Sequence, residues 1–180
     1  MPELLRTIVG KRGRVEMEME LVIRFDYGSV VPWVWRTEHG IPAIAGPDML
    51  GLRTEVPLRG ENLQTVASFA VVAEQKVSFA LTWYPSHRAE PLPINIDESI
   101  QDTEEWWREW SGRCSYQGKW RDAVLRSLIT LKALTFLPTG GLVAAPTTSL
   151  PELLGGVRNW DYRFCWVGDA TLPLHPLLEA

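Results

Sequence analysis

A chain of 180 residues with 18 Lys and Arg against 22 Asp and Glu carries a formal net charge of -4, too little field of either sign to point to nucleic acid or another polyanion as partner. It is long enough to bury a core as one modest domain or as parts of two. Its two cysteines, Cys114 and Cys165, have no CxxC or Cys/His spacing, so they point to neither a disulfide framework nor a zinc site. No apolar run approaches the ~20 residues of a membrane span, and the first thirty residues lack the basic-then-apolar order of a signal peptide. With Met1 as the start, the expectation is a reduced, cytoplasmic protein.

The basic knot Lys11-Arg12-Gly13-Arg14 reads as a solvated loop before a strand. From Arg14 to Phe25 the chain alternates, with Val15, Met17, Met19, Leu21, Ile23 and Phe25 on one side and Arg14, Glu16, Glu18, Glu20 and Arg24 on the other, which predicts a half-buried antiparallel strand. Asp26-Tyr27-Gly28-Ser29 reads as a turn, Val30 to Trp35 as an edge or bulged strand marked by Pro32, and Glu38-His39-Gly40 as another turn. Strands are predicted at Leu50–Leu58, Thr65–Val72 and Lys76–Trp83. Short strands at turn-punctuated intervals argue for a sandwich of sheets and against a Rossmann-type sheet.

Tyr84 to Asn95, interrupted by Pro85, Pro91 and Pro93, reads as a connector. Beyond it, Asp102 or Thr103 is placed to cap a helix with Glu104 and Glu105 in its first turn and Trp106, Trp107 and Trp110 on one face. A second helix is predicted from Trp120 to Leu137, its apolar stripe formed by Trp120, Val124, Leu128, Leu131 and Leu134, with Pro138-Thr139-Gly140-Gly141 stopping it. The order is β first and α second, with the seam near residue 90.

Residues 138–172 obey neither helical nor strand period and are dense in Pro, Gly, Thr and aromatic residues; long irregular stretches of this kind are functional loops or disorder, and disorder does not carry so many rings. Trp160, Tyr162, Phe164 and Trp166 recur at every second position beside Asp161, Arg163 and Asp169. That mixture suits a pyranose: rings stack on its apolar face, while carboxylates and guanidinium hold its hydroxyls. It equally suits a buried aromatic strand with Asp161 or Asp169 capping a helix. The nine tryptophans of the chain fit either use, packing being the commoner one.

The segment Ala144-Ala145-Pro146-Thr147-Thr148-Ser149-Leu150-Pro151-Glu152, followed by Gly155-Gly156 and by Arg158-Asn159-Trp160-Asp161-Tyr162-Arg163-Phe164-Cys165-Trp166, resembles the entrance to the catalytic barrel of bacterial glucoamylase- and trehalase-like inverting glycoside hydrolases. The resemblance extends back through the Trp106–Trp110 and Arg126-Ser127-Leu128 helices to Arg24-Phe25-Asp26-Tyr27-Gly28. It implies an α+β chain: a portion of an N-terminal antiparallel β-sandwich over residues 1–90, linker helices over 91–137, and the start of an (α/α)6 toroid over 138–180.

The implied reaction is hydrolysis of an α-glucosidic bond, in trehalose or at an α-glucan end, by single displacement with inversion. It uses one acid and one base carboxylate ~6.5 to 9.5 Å apart and neither metal nor organic cofactor. In the family both carboxylates follow the motif on later barrel helices, so no catalytic residue is assigned here and the chain is expected to be an inactive fragment. Tyr162 and Trp166 match rings lining the subsite of the non-reducing glucose, and Asp169 matches a carboxylate that grips its hydroxyls. Gly168 stands where the family usually places arginine. Pro173 and Pro176 are expected to break the helix that should follow Asp169. The family also has sandwich strands before Arg14, so unpaired strand edges are expected.

No P-loop, GxGxxG, GxSxG or HExxH occurs. His39, His87 and His175 are expected in solvated loops, and Glu104-Glu105 in a solvated first turn. Two readings compete with the hydrolase fragment: a carbohydrate-binding module that keeps Tyr162, Trp166 and Asp169, and an assembly partner that uses exposed strand edges and the tryptophan face. The sequence leaves the oligomeric state open.

Overall fold

A computed structural model describes residues 1–147 and 152–179, without the side chains of Asp169, Leu178 and Glu179. Thr148, Ser149, Leu150 and Pro151 of the family-like segment therefore lie outside the described residues. The chain divides into two compact units, Met1–Ile100 and Gln101–Ala180.

The first unit holds eight strands: β1 (Glu3–Val9), β2 (Arg14–Leu21), β3 (Trp33–Val34), β4 (Ile41–Ala45), β5 (Asp48–Thr54), β6 (Arg59–Glu61), β7 (Gln64–Val72) and β8 (Lys76–Pro85). They pair antiparallel in a five-stranded sheet, order β1-β8-β5-β4-β3, and a three-stranded sheet, order β2-β7-β6. Alternation explains the second sheet: Met17, Met19 and Leu21 of β2 turn toward the core, while Glu16, Glu18 and Glu20 stay in water on an edge strand that they help protect from further pairing. Ile41, Leu52, Val77 and Phe79 from the larger sheet meet Ala67 and Val71 from the smaller one in a single apolar cluster, closed by Val56 and Leu58. Phe69 and Phe79 bring the two sheets into ring contact at 5.8 Å.

Several boundaries differ from expectation. β2 stops at Leu21, short of Phe25, because the chain turns there: Phe25 and Val30 exchange backbone hydrogen bonds of 2.9 and 3.1 Å around a loop in which Asp26 and Tyr27 adopt left-handed φ. Strands β1, β4 and β6 were not foreseen. β1 pairs with β8, and its end passes so close to β7 that a Cβ on Gly10 would lie 1.8 Å from the Val72 carbonyl oxygen, so only glycine fits there. The strand expected over 30–35 shrinks to β3, on the sheet edge where Pro32 is tolerated.

The connector after β8 is tied down by Arg53, whose guanidinium pairs with Glu90 at 2.7 Å and also donates to the Pro91 carbonyl. Helix α1 (Ile96–Gly112) begins earlier than expected because Asn95 caps it: the Asn95 Oδ1 accepts from the Glu98 N–H at 3.3 Å, and Asp97 and Glu98 occupy the first turn. Asp102 and Thr103 are therefore helix-interior, as are Glu104, paired with Arg108 at 2.6 Å, and Glu105, which accepts from Gln101 at 2.7 Å.

In the second unit, Trp107 meets Trp106 and Trp110 edge-on, at 4.9 and 6.0 Å. Helix α2 (Arg121–Ala133) buries Leu128 and exposes Asp122, Arg126 and Thr130 as the periodicity requires. It ends at Ala133, before the expected Leu137. Thr135-Phe136 is instead strand β9 (Thr135–Phe136), which turns through Pro138–Gly140 to pair with β10 (Gly141–Leu142). Helix α3 (Val167–Glu179) runs through Pro173 and Pro176, contrary to expectation, and includes His175, which had been expected in a loop. Each proline removes one intrahelical donor, but Leu172 is 80% exposed, so water can satisfy the carbonyls released on so open a helix. Antiparallel sheets and, among the described residues, three α-helices make the chain α+β.

Candidate functional site

The aromatic segment 160–166 is held in place by backbone bonds to β10 and its continuation. The Ala144 N–H donates to the Phe164 carbonyl at 3.2 Å, and the Ala145 N–H to the Tyr162 carbonyl at 2.9 Å. On the far side, the Val143 N–H donates to Leu134 O at 3.0 Å, which anchors this strip to the end of α2. Upstream, the Asn159 side chain latches the 153–156 turn: its Nδ2 donates to Leu153 O at 2.9 Å and to Gly156 O at 3.1 Å, while its Oδ1 accepts from the Leu153 N–H at 3.3 Å. Sequence reasoning gave Asn159 no role. Its signal was an amide side chain three residues after a Gly-Gly turn, a placement that lets one residue satisfy several backbone groups.

Downstream, Trp166 stands at the start of α3, its carbonyl accepting from the Ala170 N–H at 2.9 Å. This places the Trp166 ring parallel to Tyr162, with centroids 6.1 Å apart and 25° between planes, while Trp160 meets Trp166 edge-on at 6.0 Å. Tyr162 and Trp166 are 37% and 38% exposed, and Trp160 and Phe164 more so, so the segment is not a buried aromatic strand.

Asp161 is paired with its near neighbour Arg163. Its carboxylate accepts from the Arg163 N–H at 3.0 Å and from the guanidinium at 3.1 Å (Nε) and 2.9 Å (Nη2), so the charged pair offered by the sequence is engaged with itself. Of the three residues carried over from the family, Tyr162 and Trp166 come together as one stacked platform. Asp169 is in the first turn of α3 by backbone, with its side chain outside the described residues. Gly168 precedes it with open space where a Cβ would stand. Among the described residues, no three His, Cys, Asp or Glu side chains group closely enough to hold a metal ion, and no helix is long and apolar enough to cross a membrane.

The family model of glycosyl hydrolases family 15 matches residues 118–180. A protein named trehalase from Thermoplasma volcanium is 32% identical over 98% of the chain, which spans 28% of that relative's length. One from Mycobacterium tuberculosis is 37% identical over 95% of the chain, here 26% of the relative. "Trehalase 1" from Sulfolobus acidocaldarius is 28% identical over 99% of the chain. The chain thus spans less than a third of the length of these curated relatives. No solved structure matches it significantly. The family model lies on the part that carries the stacked rings and trehalases are similar along nearly the whole chain, which supports a fragment of a glucoamylase- or trehalase-like glycoside hydrolase.

Proposed function

We propose that this chain forms part of a glycoside hydrolase that cleaves an α-glucosidic bond with inversion, with trehalose the first substrate to test and α-glucan ends the second. The observation that carries the reading is the half-exposed Tyr162–Trp166 stack, set within the stretch that the family model matches. Such a platform takes the apolar face of a glucose ring, and Asp169, next in the chain, would hold its hydroxyls. The two sheets of the first unit correspond to a β-sandwich portion over 1–90, with linker helices over 91–137. Helix α3 then begins the (α/α)6 toroid over 138–180. Inversion needs two carboxylates flanking a water, and neither is assigned to a residue of this chain, which by itself is inactive on this reading. The reaction calls for no metal or organic cofactor.

The test is glucose release from trehalose and maltose by the purified 180-residue chain, with calorimetric titration of both sugars. No release is expected, together with saturable trehalose binding that weakens about ten-fold when Trp166→Ala removes one stacking ring. Glucose release by the chain alone would overturn the inactive reading. Binding unchanged in the variant would remove Trp166 from the sugar site. A second reading, sugar binding without catalysis, is favoured by the same exposed rings. It would prevail if binding is saturable and co-expression with the remaining length of a related trehalase restores no hydrolysis.

A further inference from the structure

A second aromatic cleft lies in the first unit, between β3 and the turn joining β6 to β7. Its volume is about 520 Å³, within the range of small-ligand sites. Trp33 and Trp35 form one wall, 74% and 37% exposed, and Ile41 contributes to the apolar floor. Positions two apart on an extended strand lie roughly 6.6 Å from one another, which lets each indole meet its own ring of a chain-like ligand. Arg36, Asn62 and Gln64 line the same cleft, and among the described residues none of the three side chains has a hydrogen-bond or ion-pair partner. The turn is a two-residue hairpin loop in which Asn62 and Leu63 both take the left-handed φ, 49° and 60°, that such a tight connection requires, and Arg24 donates to the Leu63 carbonyl at 3.1 Å.

Two exposed indoles facing amide and guanidinium donors have the chemistry of a carbohydrate groove, with rings for the apolar faces and polar ends for the hydroxyls. The rest of the lining is mostly apolar, but the cleft is open, and Arg36, Glu61, Asn62 and Gln64 add polar groups to it, which an enclosed pocket for a lipid would not have. We infer that the Trp33–Trp35 cleft is an accessory binding site for a short gluco-oligosaccharide, separate from Tyr162 and Trp166. The choice of sugar class rests on the glycosidase reading; the site itself rests on the cleft. In a hydrolase that acts on chain ends, a second site of this kind would hold the oligosaccharide near the enzyme between cleavage events, by raising its effective concentration.

The experiment titrates maltotriose into the full 180-residue chain by calorimetry, with sedimentation and thermal unfolding measured on each variant. Trp33→Ala/Trp35→Ala is expected to weaken maltotriose binding about ten-fold or more, and Asn62→Ala/Gln64→Ala to weaken it by a smaller factor, while Tyr162→Ala/Trp166→Ala leaves this site in place. Both tryptophans stand on a sheet edge outside the buried cluster, so the fold is expected to survive their loss. Wild-type affinity in the folded Trp33→Ala/Trp35→Ala chain, or no saturable maltotriose binding to the wild type, overturns the inference. A dimer in the wild type that becomes monomeric in that variant overturns it in favour of self-association. Failure of the glycosidase reading is scored independently, by glucose release and by the titration of the Trp166→Ala chain.

Discussion

Gly168 stands where the resemblance to the family leads to the expectation of an arginine, and its surroundings make that expectation testable. It lies in the first turn of α3, and nothing within 4 Å meets a Cβ built on it. Glycine inside a helix costs ~0.5–1 kcal/mol relative to alanine, so Gly168→Ala is expected to raise the midpoint of thermal unfolding by a few degrees. Gly168→Arg fits the same open space. If the site grips a glucose as proposed, the added guanidinium tightens trehalose binding on the order of ten-fold, and unchanged affinity would place residue 168 outside the sugar site. The rings themselves were legible from the sequence, since Tyr162 and Trp166 stand out by aromatic spacing. Their stacking was not, because it depends on where α3 starts and on the bonds from Ala144 and Ala145 across the intervening loop. The pairing of Asp161 with Arg163 also went unread: two charges two residues apart can serve a ligand or each other, and only the backbone turn decides.

At the scale of elements, the sequence announced β2, β5, β7, β8, α1 and α2 but not β1, β4, β6 or an unbroken α3, and it set element ends poorly, for reasons that can be named. The start of α1 was read at Asp102 or Thr103 because acidic residues follow, yet Asn95, two residues after the Pro93 break, does the capping. The end of α2 was read past Thr135-Phe136 because the stop signal is Pro138-Thr139-Gly140-Gly141, but Thr135 and Phe136 pair with Gly141-Leu142 instead of extending the helix. The end of β8 carries a pH-sensitive group. Tyr84 is 2% exposed, and its phenol is raised above its usual 10.0, first by loss of water, then by the Glu90 charge, with Arg53 pulling the other way. A raised folded-state value means that the unfolded chain gives up the proton first. The contribution is therefore complete below pH ~10 and is lost as pH climbs from there through the folded value. Urea unfolding of the wild type is expected to weaken across that alkaline range more steeply than that of Tyr84→Phe. Parallel profiles would show that Tyr84 does not titrate differently on folding.

For the whole molecule, alternation in β2 and β8 announced sheets, but nothing local announces which strand lies beside which. β1 pairs with β8 across most of the first unit, and β2 with β7 across some fifty residues, so partner choice is a long-range outcome of packing one apolar cluster. That cluster is small. It joins the two sheets chiefly through Phe79 with Ile41, Leu52, Val71 and Ala67, and Phe79 is the largest member, touching Phe69 across the gap. Truncating a buried phenylalanine costs ~3–5 kcal/mol, and a domain of this size has only ~5–15 kcal/mol to lose. Phe79→Ala is therefore expected to shift the urea midpoint of the sheet unit far down, or to unfold it, and to abolish maltotriose binding at Trp33 and Trp35 along with it. Trp33→Ala, on the exposed edge, should change stability by less than ~0.5 kcal/mol. A cost below ~1 kcal/mol for Phe79→Ala would mean that the two sheets do not depend on one shared core, and the accessory cleft would then need some other source of rigidity to hold its walls apart.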